Sequence, residues 1–236
     1  MSSFTIQRAA ARFLTDAGWL QSRHSFNFGH HHHPDHEGHG LLLVNNDDVV
    51  APGMGFGTHG HRDMEIVTWV LSGRLEHHDS EGNHGVLYPG LAQRMSAGTG
   101  IRHSEMNASP DEPVHFLQMW VWPDTVGIRP GYEQSDLNGR LAAGGLVAIA
   151  SGQGHEGAVT IHQKGAVLWA GRLHTGEVVT IPDAAHVHVF VATGGGTLDH
   201  AGDLAPGDAV RLTEAGGAVR FTAGAEGGEL LVWATD

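Results

Sequence analysis

Residues Gly57–Gly73 read GTHGHRDMEIVTWVLSG. The run Ile66–Leu71 (IVTWVL) is apolar and β-branched, closed by Ser72–Gly73, and reads as a buried strand. His59 and His61 stand two positions apart, so on an extended chain both imidazoles leave one face, about 7 Å apart along it. Forty-odd residues later AGTGIRHSE, residues 97–105, repeats the spacing with His103 and Glu105. Two such pairs on neighbouring strands inside a barrel converge three imidazoles and a carboxylate on one point. That donor set suits Fe(II), Mn, Ni, Cu or Zn, and the residue types alone do not choose among them.

Outward from this stretch the chain is a series of short strands. Arg74–His78, Val86–Tyr88 and Phe116–Trp122 (FLQMWVW) flank it, with turns at Asp79–Asn83 and Pro89–Gly90. Beyond residue 125, Ala166–Leu173, Glu177–Ile181, His188–Ala192, Ala209–Leu212, Ala218–Thr222 and Leu230–Ala234 continue the theme. Strands at this spacing, broken by Gly and Pro, predict an all-β sandwich or barrel. Gln7–Ala17 is the best of a few helix-period stretches. The turn-rich segment Pro123–Gly139 (PDTVGIRPGYEQSDLNG) divides the chain into residues 1–125 and 126–236, two small barrels in tandem.

The composition supports one reactive half. Of 20 histidines, 14 precede residue 125. There is no cysteine, which excludes a disulfide frame, thiolate catalysis and a Cys-based zinc finger. The net charge is −13, and the only lysine is Lys164 among singly scattered arginines, so direct nucleic-acid binding is not expected. No apolar run of membrane-spanning length occurs, and residues 1–15 lack a signal-peptide core, which makes the cytosol the expected compartment. The internal run His30–His33, in HSFNFGHHHHPDHEGHG, reads as a solvated Gly-flanked loop, with a metal-sticky loop as the alternative.

Gly53-x5-His59-x-His61-x3-Glu65 resembles the first cupin motif, and His103-x3-Asn107 echoes the end of the second. More narrowly, HGHRDMEIVTWVLSGRLEHHDSEGNHGVLYPGLAQRMSAGTGIRHSEMN and the segment GWLQSRHSFNFG (Gly18–Gly29) resemble the pirin family of tandem cupins, over roughly residues 12–125. The resemblance implies a bicupin whose N-terminal barrel holds one divalent metal on His59, His61, His103 and Glu105, with Fe(II) favoured. Gly60 stands where that family often has proline. Glu65 shares the parity of His59 and His61 and is a rival carboxylate ligand, although the resemblance favours Glu105. His186 and His188 form another H-x-H, but no His–Glu pair follows it, so the C-terminal barrel is expected to be metal-free, a packing partner and pocket wall.

Family members that act as enzymes resemble quercetin 2,3-dioxygenases. For this chain the resemblance implies a phenolic or enolic substrate and O2, loss of the flavonol 3-hydroxyl proton to Glu105, and ring opening with release of carbon monoxide. The family also contains metal- or redox-responsive proteins that bind a transcription factor or metabolic enzyme. An open pocket with room for a three-ring phenolic would favour the enzyme, and a closed site beside a flat charged surface the regulator. Arg62, Asp63, Ser104, Asn107, Gln118 and Met119 are candidates for supporting contacts, and Trp69, Trp120 and Trp122 read first as core. A monomer is expected, because a core shared by two barrels can suffice.

Overall fold

The computed structural model describes residues 3–236. Its architecture is all-β, as the strand spacing predicts, and the tandem-cupin expectation holds. A seven-stranded antiparallel sheet runs, in spatial order, Gly131–Asp136, Leu91–Ser96, Glu65–Ser72, Val114–Val121, Leu42–Val50, Leu20–His24 and Phe13–Asp16. A four-stranded sheet faces it: Gly55–His61, Ile101–Asn107, Leu75–Asp79 and His84–Leu87. Leu20, Val50, Val70, Phe116, Leu75 and Leu87 interdigitate between the two sheets and close the N-terminal barrel at one end.

The central strands of the larger sheet are buried on both faces. Along Glu65–Ser72 every residue from Glu65 to Val70 is buried. Thr68 and Val70 face into the barrel. Val67 and Trp69 turn the other way, where they join Leu117 and Met119 against Leu168, Phe190, Leu231 and Trp233 of the C-terminal sheet. Trp69 Nε1 donates to the Glu229 carboxylate, and Trp233 Nε1 meets Met119 Sδ at 3.3 Å. Each buried Trp thus finds a partner for its one polar atom across the joint between the halves.

The C-terminal sheet is built on two long strands, Ala184–Leu198 and Arg220–Thr235, which bend at register shifts near Gly194 and continue into a second leg. Its interior is filled with apolar side chains, among them Leu173, Ile181, Val187, Val189, Leu212 and Val232. By strand alternation His186 and His188 therefore face outward from this barrel, toward the N-terminal half. The ring of His188 lies 5.4 Å from that of Phe26.

One expectation yields to the structure. Gln7–Ala17 is not a helix: it forms a single 3₁₀ turn at Ala9–Ala11 and then the strand Phe13–Asp16, where Phe13 and Thr15 are half-buried and Leu14 and Asp16 exposed. Arg8 and Arg12 hold it extended by pairing with Asp208 and Asp47 at 2.7 and 2.9 Å. The turn-rich segment after residue 123 supplies a strand, Gly131–Asp136, and the one α-helix among the described residues, Asn138–Leu141. Strands also cross the division at 125/126 in both directions. Ser3–Gln7 pairs with Ala209–Ala215 in the C-terminal sheet, and Gly131–Asp136 pairs with Leu91–Ser96 in the N-terminal one.

His188 is 2% exposed, and neither ring nitrogen has a hydrogen-bond partner among the described residues. Burial, followed by His39, Arg12 and Arg211, holds its pKa well below the ordinary imidazole value. The unfolded chain then takes up a proton first, so stability is lost as pH falls below about 6.5, by up to about 1.4 kcal/mol per unit from this group. We predict that His188→Leu is neutral or stabilising at pH 7 and flattens the fall in denaturant-unfolding free energy between about pH 6 and pH 5.

Candidate metal centre

Cross-strand register brings the histidine pairs together. The strand Ile101–Asn107 runs antiparallel to Gly55–His61, with His103 opposite His59 and Ile101 opposite His61. The ring centroids of His59, His61 and His103 lie 4.4–4.9 Å apart, and one nitrogen from each falls within 4.8 Å of the others. A register shift between His103 and Glu105 sets Glu105 opposite Phe56. At Gly55 the two strands come so close that a Cβ would collide with the Glu105 carbonyl oxygen and Met106, so only glycine fits.

The nitrogens are disposed for coordination. His59 Nδ1 donates to the Gly57 carbonyl at 2.8 Å, which leaves the Nε2 lone pair free. His103 Nε2 is buried with no hydrogen-bond partner among the described residues, while its Nδ1 lies 3.4 Å from His77 Nδ1. Burial, then His59, lowers the His61 pKa to about 4. Burial, then the neighbouring imidazoles, lowers that of His103 to about 2. Both rings are therefore neutral at pH 7, the form that binds a metal. A buried, unpartnered ring nitrogen beside two further imidazoles fits a divalent transition ion.

Glu105 is buried in the wall of the same cavity. Its carboxylate oxygens approach His103 and His77, within 4.8 Å, and do not complete one close group with all three ligand-type imidazoles. Both oxygens accept from Gln118 Nε2, at 3.0 and 2.8 Å. Burial pushes the Glu105 pKa up to about 7, against the pull of Gln118, and nearby Asp48 adds to the rise.

The Gln118 amide is itself the end of a directed chain. Thr68 Oγ1 donates to Gln118 Oε1 at 2.8 Å, and Gln93 Nε2 to Thr68 Oγ1 at 3.4 Å. Tyr132 OH donates to Gln93 Oε1 at 2.8 Å, and Gln134 Nε2 to Tyr132 OH at 2.7 Å. Gln118, Thr68 and Gln93 are register partners on adjacent strands, so the chain crosses the sheet as a ladder. Its direction fixes the Gln118 NH2 toward Glu105.

Glu65, the rival carboxylate, lies elsewhere. Its Oε2 accepts from Ser96 Oγ at 2.9 Å and from the His162 backbone N–H at 3.0 Å, tying the first barrel to the second. Asn107 donates to the carbonyls of Val50, Ala51 and Glu112 and pins a loop. Asp63 accepts from the Gly127 N–H at 2.6 Å, Arg62 is exposed, Ser104 is half-buried between the two inward-facing residues, and Met119 packs in the joint between barrels. Among the tryptophans, Trp69 is core and Trp122 is half exposed. Trp120 lines the cavity, edge-on to His61 at 4.9 Å.

The cavity above the imidazoles has a volume of about 560 Å³. Trp19, Leu20, Phe28, Phe56 and Trp120 give it apolar walls, and His24, Asn46, Asp48, Glu105 and Gln118 supply polar points. His77 and Asp48 have no place in the sequence reading. Asp48 is buried, its Oδ1 has no partner among the described residues, and burial raises its pKa to about 7. The histidine run is a loop, as expected, but it is also structural: His30 reaches the cavity mouth, His31 stacks on Phe13 at 5.1 Å, and His33 Nδ1 accepts from the Asp35 N–H.

A family model described as Pirin matches residues 5–121, and one described as the quercetinase C-terminal cupin domain matches residues 148–232. A Mycobacterium tuberculosis protein provisionally named a quercetin 2,3-dioxygenase is 56% identical over 97% of this chain and 93% of its own. The quercetin 2,3-dioxygenase of Escherichia coli K12 is 44% identical over 67% of each chain. The crystal structure of YhhW from Escherichia coli superposes with a TM-score of 0.90 at 35% identity, covering 99% of this chain and 98% of that one. The nickel(II) complex of the same bacterial pirin superposes at 0.87, also at 35% identity and covering 98% of each chain. With likeness in sequence and in backbone running nearly end to end, the chain belongs to the pirin family.

Proposed function

We propose that this chain is a dioxygenase that opens the heterocyclic ring of a flavonol such as quercetin with O2 and releases carbon monoxide. His59, His61 and His103 hold one divalent metal, Glu105 is its fourth ligand from the cavity wall and serves as base, and residues 126–236 are a metal-free packing partner that contributes no lining residue to the cavity. The observation that carries this reading is an apolar-walled cavity of about 560 Å³ into which His59, His61 and Glu105 open. That volume falls within the roughly 300–1,000 Å³ of small-molecule sites. The same openness supports an enzyme over a regulator, whose metal would need no substrate space.

A bound divalent ion, Fe(II) in this proposal, would acidify the substrate hydroxyl and bring substrate and O2 together; Ni, Mn, Cu and Zn suit the same donors. The protein does the rest. Phe28, Phe56 and Trp120 take the flat rings and exclude water from them. Glu105 accepts the hydroxyl proton, its burial holding its basicity near that of the working pH. Gln118 keeps the carboxylate aimed, and Asp48 offers its unpartnered oxygen side to a second polar group of the substrate. The names of the Escherichia coli quercetin dioxygenase and of the nickel(II) pirin complex support both halves of the proposal.

Anaerobic reconstitution with Fe(II), followed by quercetin consumption and CO release in air, tests it. We expect turnover in the wild type and none in His61→Ala, with Glu105→Ala slower by roughly 10²–10⁴-fold. A firmly metallated wild type that leaves quercetin intact would overturn the reading. Gln118→Leu removes the only charge-assisted donor to Glu105 among the described hydrogen bonds. It should cost about 1.5–3 kcal/mol in urea unfolding and lower kcat more than it raises KM.

A further inference from the structure

The strand Leu75–Asp79 presents histidines to both sides of its sheet. His77 is fully buried and faces His103, whereas Glu76 and His78, its neighbours in the chain, lie on the outer face. There His84 of the strand His84–Leu87 stands directly across from His78. The two rings stack with centroids 3.9 Å apart and planes 12° from parallel. Their Nε2 atoms converge on one oxygen, Glu76 Oε1, at 3.0 Å from His84 and 3.3 Å from His78.

We propose that Glu76, His78 and His84 form a second divalent transition-metal site, on the outer face of the sheet whose inner face carries the first. Metal bonds of about 2.0–2.2 Å set neighbouring ligand atoms roughly 3.0–3.4 Å apart, and both nitrogen–oxygen spacings already meet that. Without a metal, both contacts to Oε1 require a proton on Nε2. Two stacked rings then present their protons to a single carboxylate oxygen, and if both are cationic only one charge is compensated. One divalent ion in place of those protons uses the same three atoms and leaves both imidazoles neutral.

The hairpin holds the group in register. Asp79 Oδ1 accepts from the backbone N–H groups of Glu81 and Asn83 at 3.0 and 2.9 Å, and the Asn83 side-chain amide donates to both Asp79 oxygens. The turn therefore fixes the position of His84 relative to His78. Two imidazoles and a carboxylate select Zn(II), Ni(II), Co(II) or Cu(II) over Mg(II) and Ca(II), which prefer all-oxygen shells. Both histidine side chains are 53% exposed and that of Glu76 35%, so water fills the remaining positions and the ion exchanges freely. No substrate cavity adjoins it among the described pockets, so this ion takes no part in turnover.

Zn(II) binding to the metal-stripped chain, counted by calorimetry and elemental analysis, tests the proposal. Relative to wild type, His84→Ala and Glu76→Gln should each lower the count by one equivalent and leave quercetin turnover unchanged. Zn(II) should also shift the ring-nitrogen NMR signals of His78 and His84 together. The count of His61→Ala also falls by one if the inner assignment is right, and the double variant His61→Ala/His84→Ala loses two. A His84→Ala count equal to wild type, or unmoved His78 and His84 signals, overturns the outer site. A His61→Ala count equal to wild type would instead strike the inner assignment and leave the outer one standing.

Discussion

The centre of the seven-stranded sheet is buried on both faces, and the rest of the molecule depends on that. Each of its central strands must serve two interiors at once: odd and even residues of a single run face different cores. In Glu65–Ser72, Thr68 belongs to the cavity and Trp69 to the joint between barrels. In Val114–Val121, Gln118 belongs to the cavity and Leu117 and Met119 to the joint. A slip of one residue would drive Trp69 into the cavity and strand Thr68 in the apolar joint. Packing of the second barrel therefore enforces the register on which the first barrel's site relies.

That shared register explains how a buried carboxylate is oriented without a salt bridge. Glu105 has no described cationic partner. A ladder of neutral amides and hydroxyls, drawn from three adjacent strands, delivers one NH2 group to it. Amide dipoles hold a carboxylate in place while leaving its proton affinity near neutrality, whereas a guanidinium would drive that affinity down. The geometry suits a group that must gain and lose a proton.

Much of this is legible in the sequence. The i, i+2 histidine pairs give the converging imidazoles, because strand parity is a local property, and the apolar runs give the strands. What was hidden depended on partners distant in the chain. Glu65 shares strand parity with His59 and His61, and Glu105 with His103, and only the fold shows that Glu65 turns to Ser96 and His162. Asp48 could have been found: Val44 and Val50 place Asn46 and Asp48 on an inward face, but two acids in NNDD read as surface. His77 lies inward by the parity of Leu75, a signal masked by the histidine beside it. Gln7–Ala17 reads as helix because its alanines favour one, and the pairings of Arg8 and Arg12 overrule that preference.

The first strand of each half does not stay where the chain order puts it. Ser3–Gln7 is an edge of the C-terminal sheet, lying against Ala209–Ala215, and Gly131–Asp136 closes the sheet of the half before it. The halves are latched like clasped hands, so neither reaches its final form alone. During synthesis at about 5–20 residues per second, the opening strand waits roughly 10–40 s for its partner to emerge. Over that interval residues 3–7 are an unclaimed β-edge on the nascent chain, the segment through which two half-made copies could join in the wrong order.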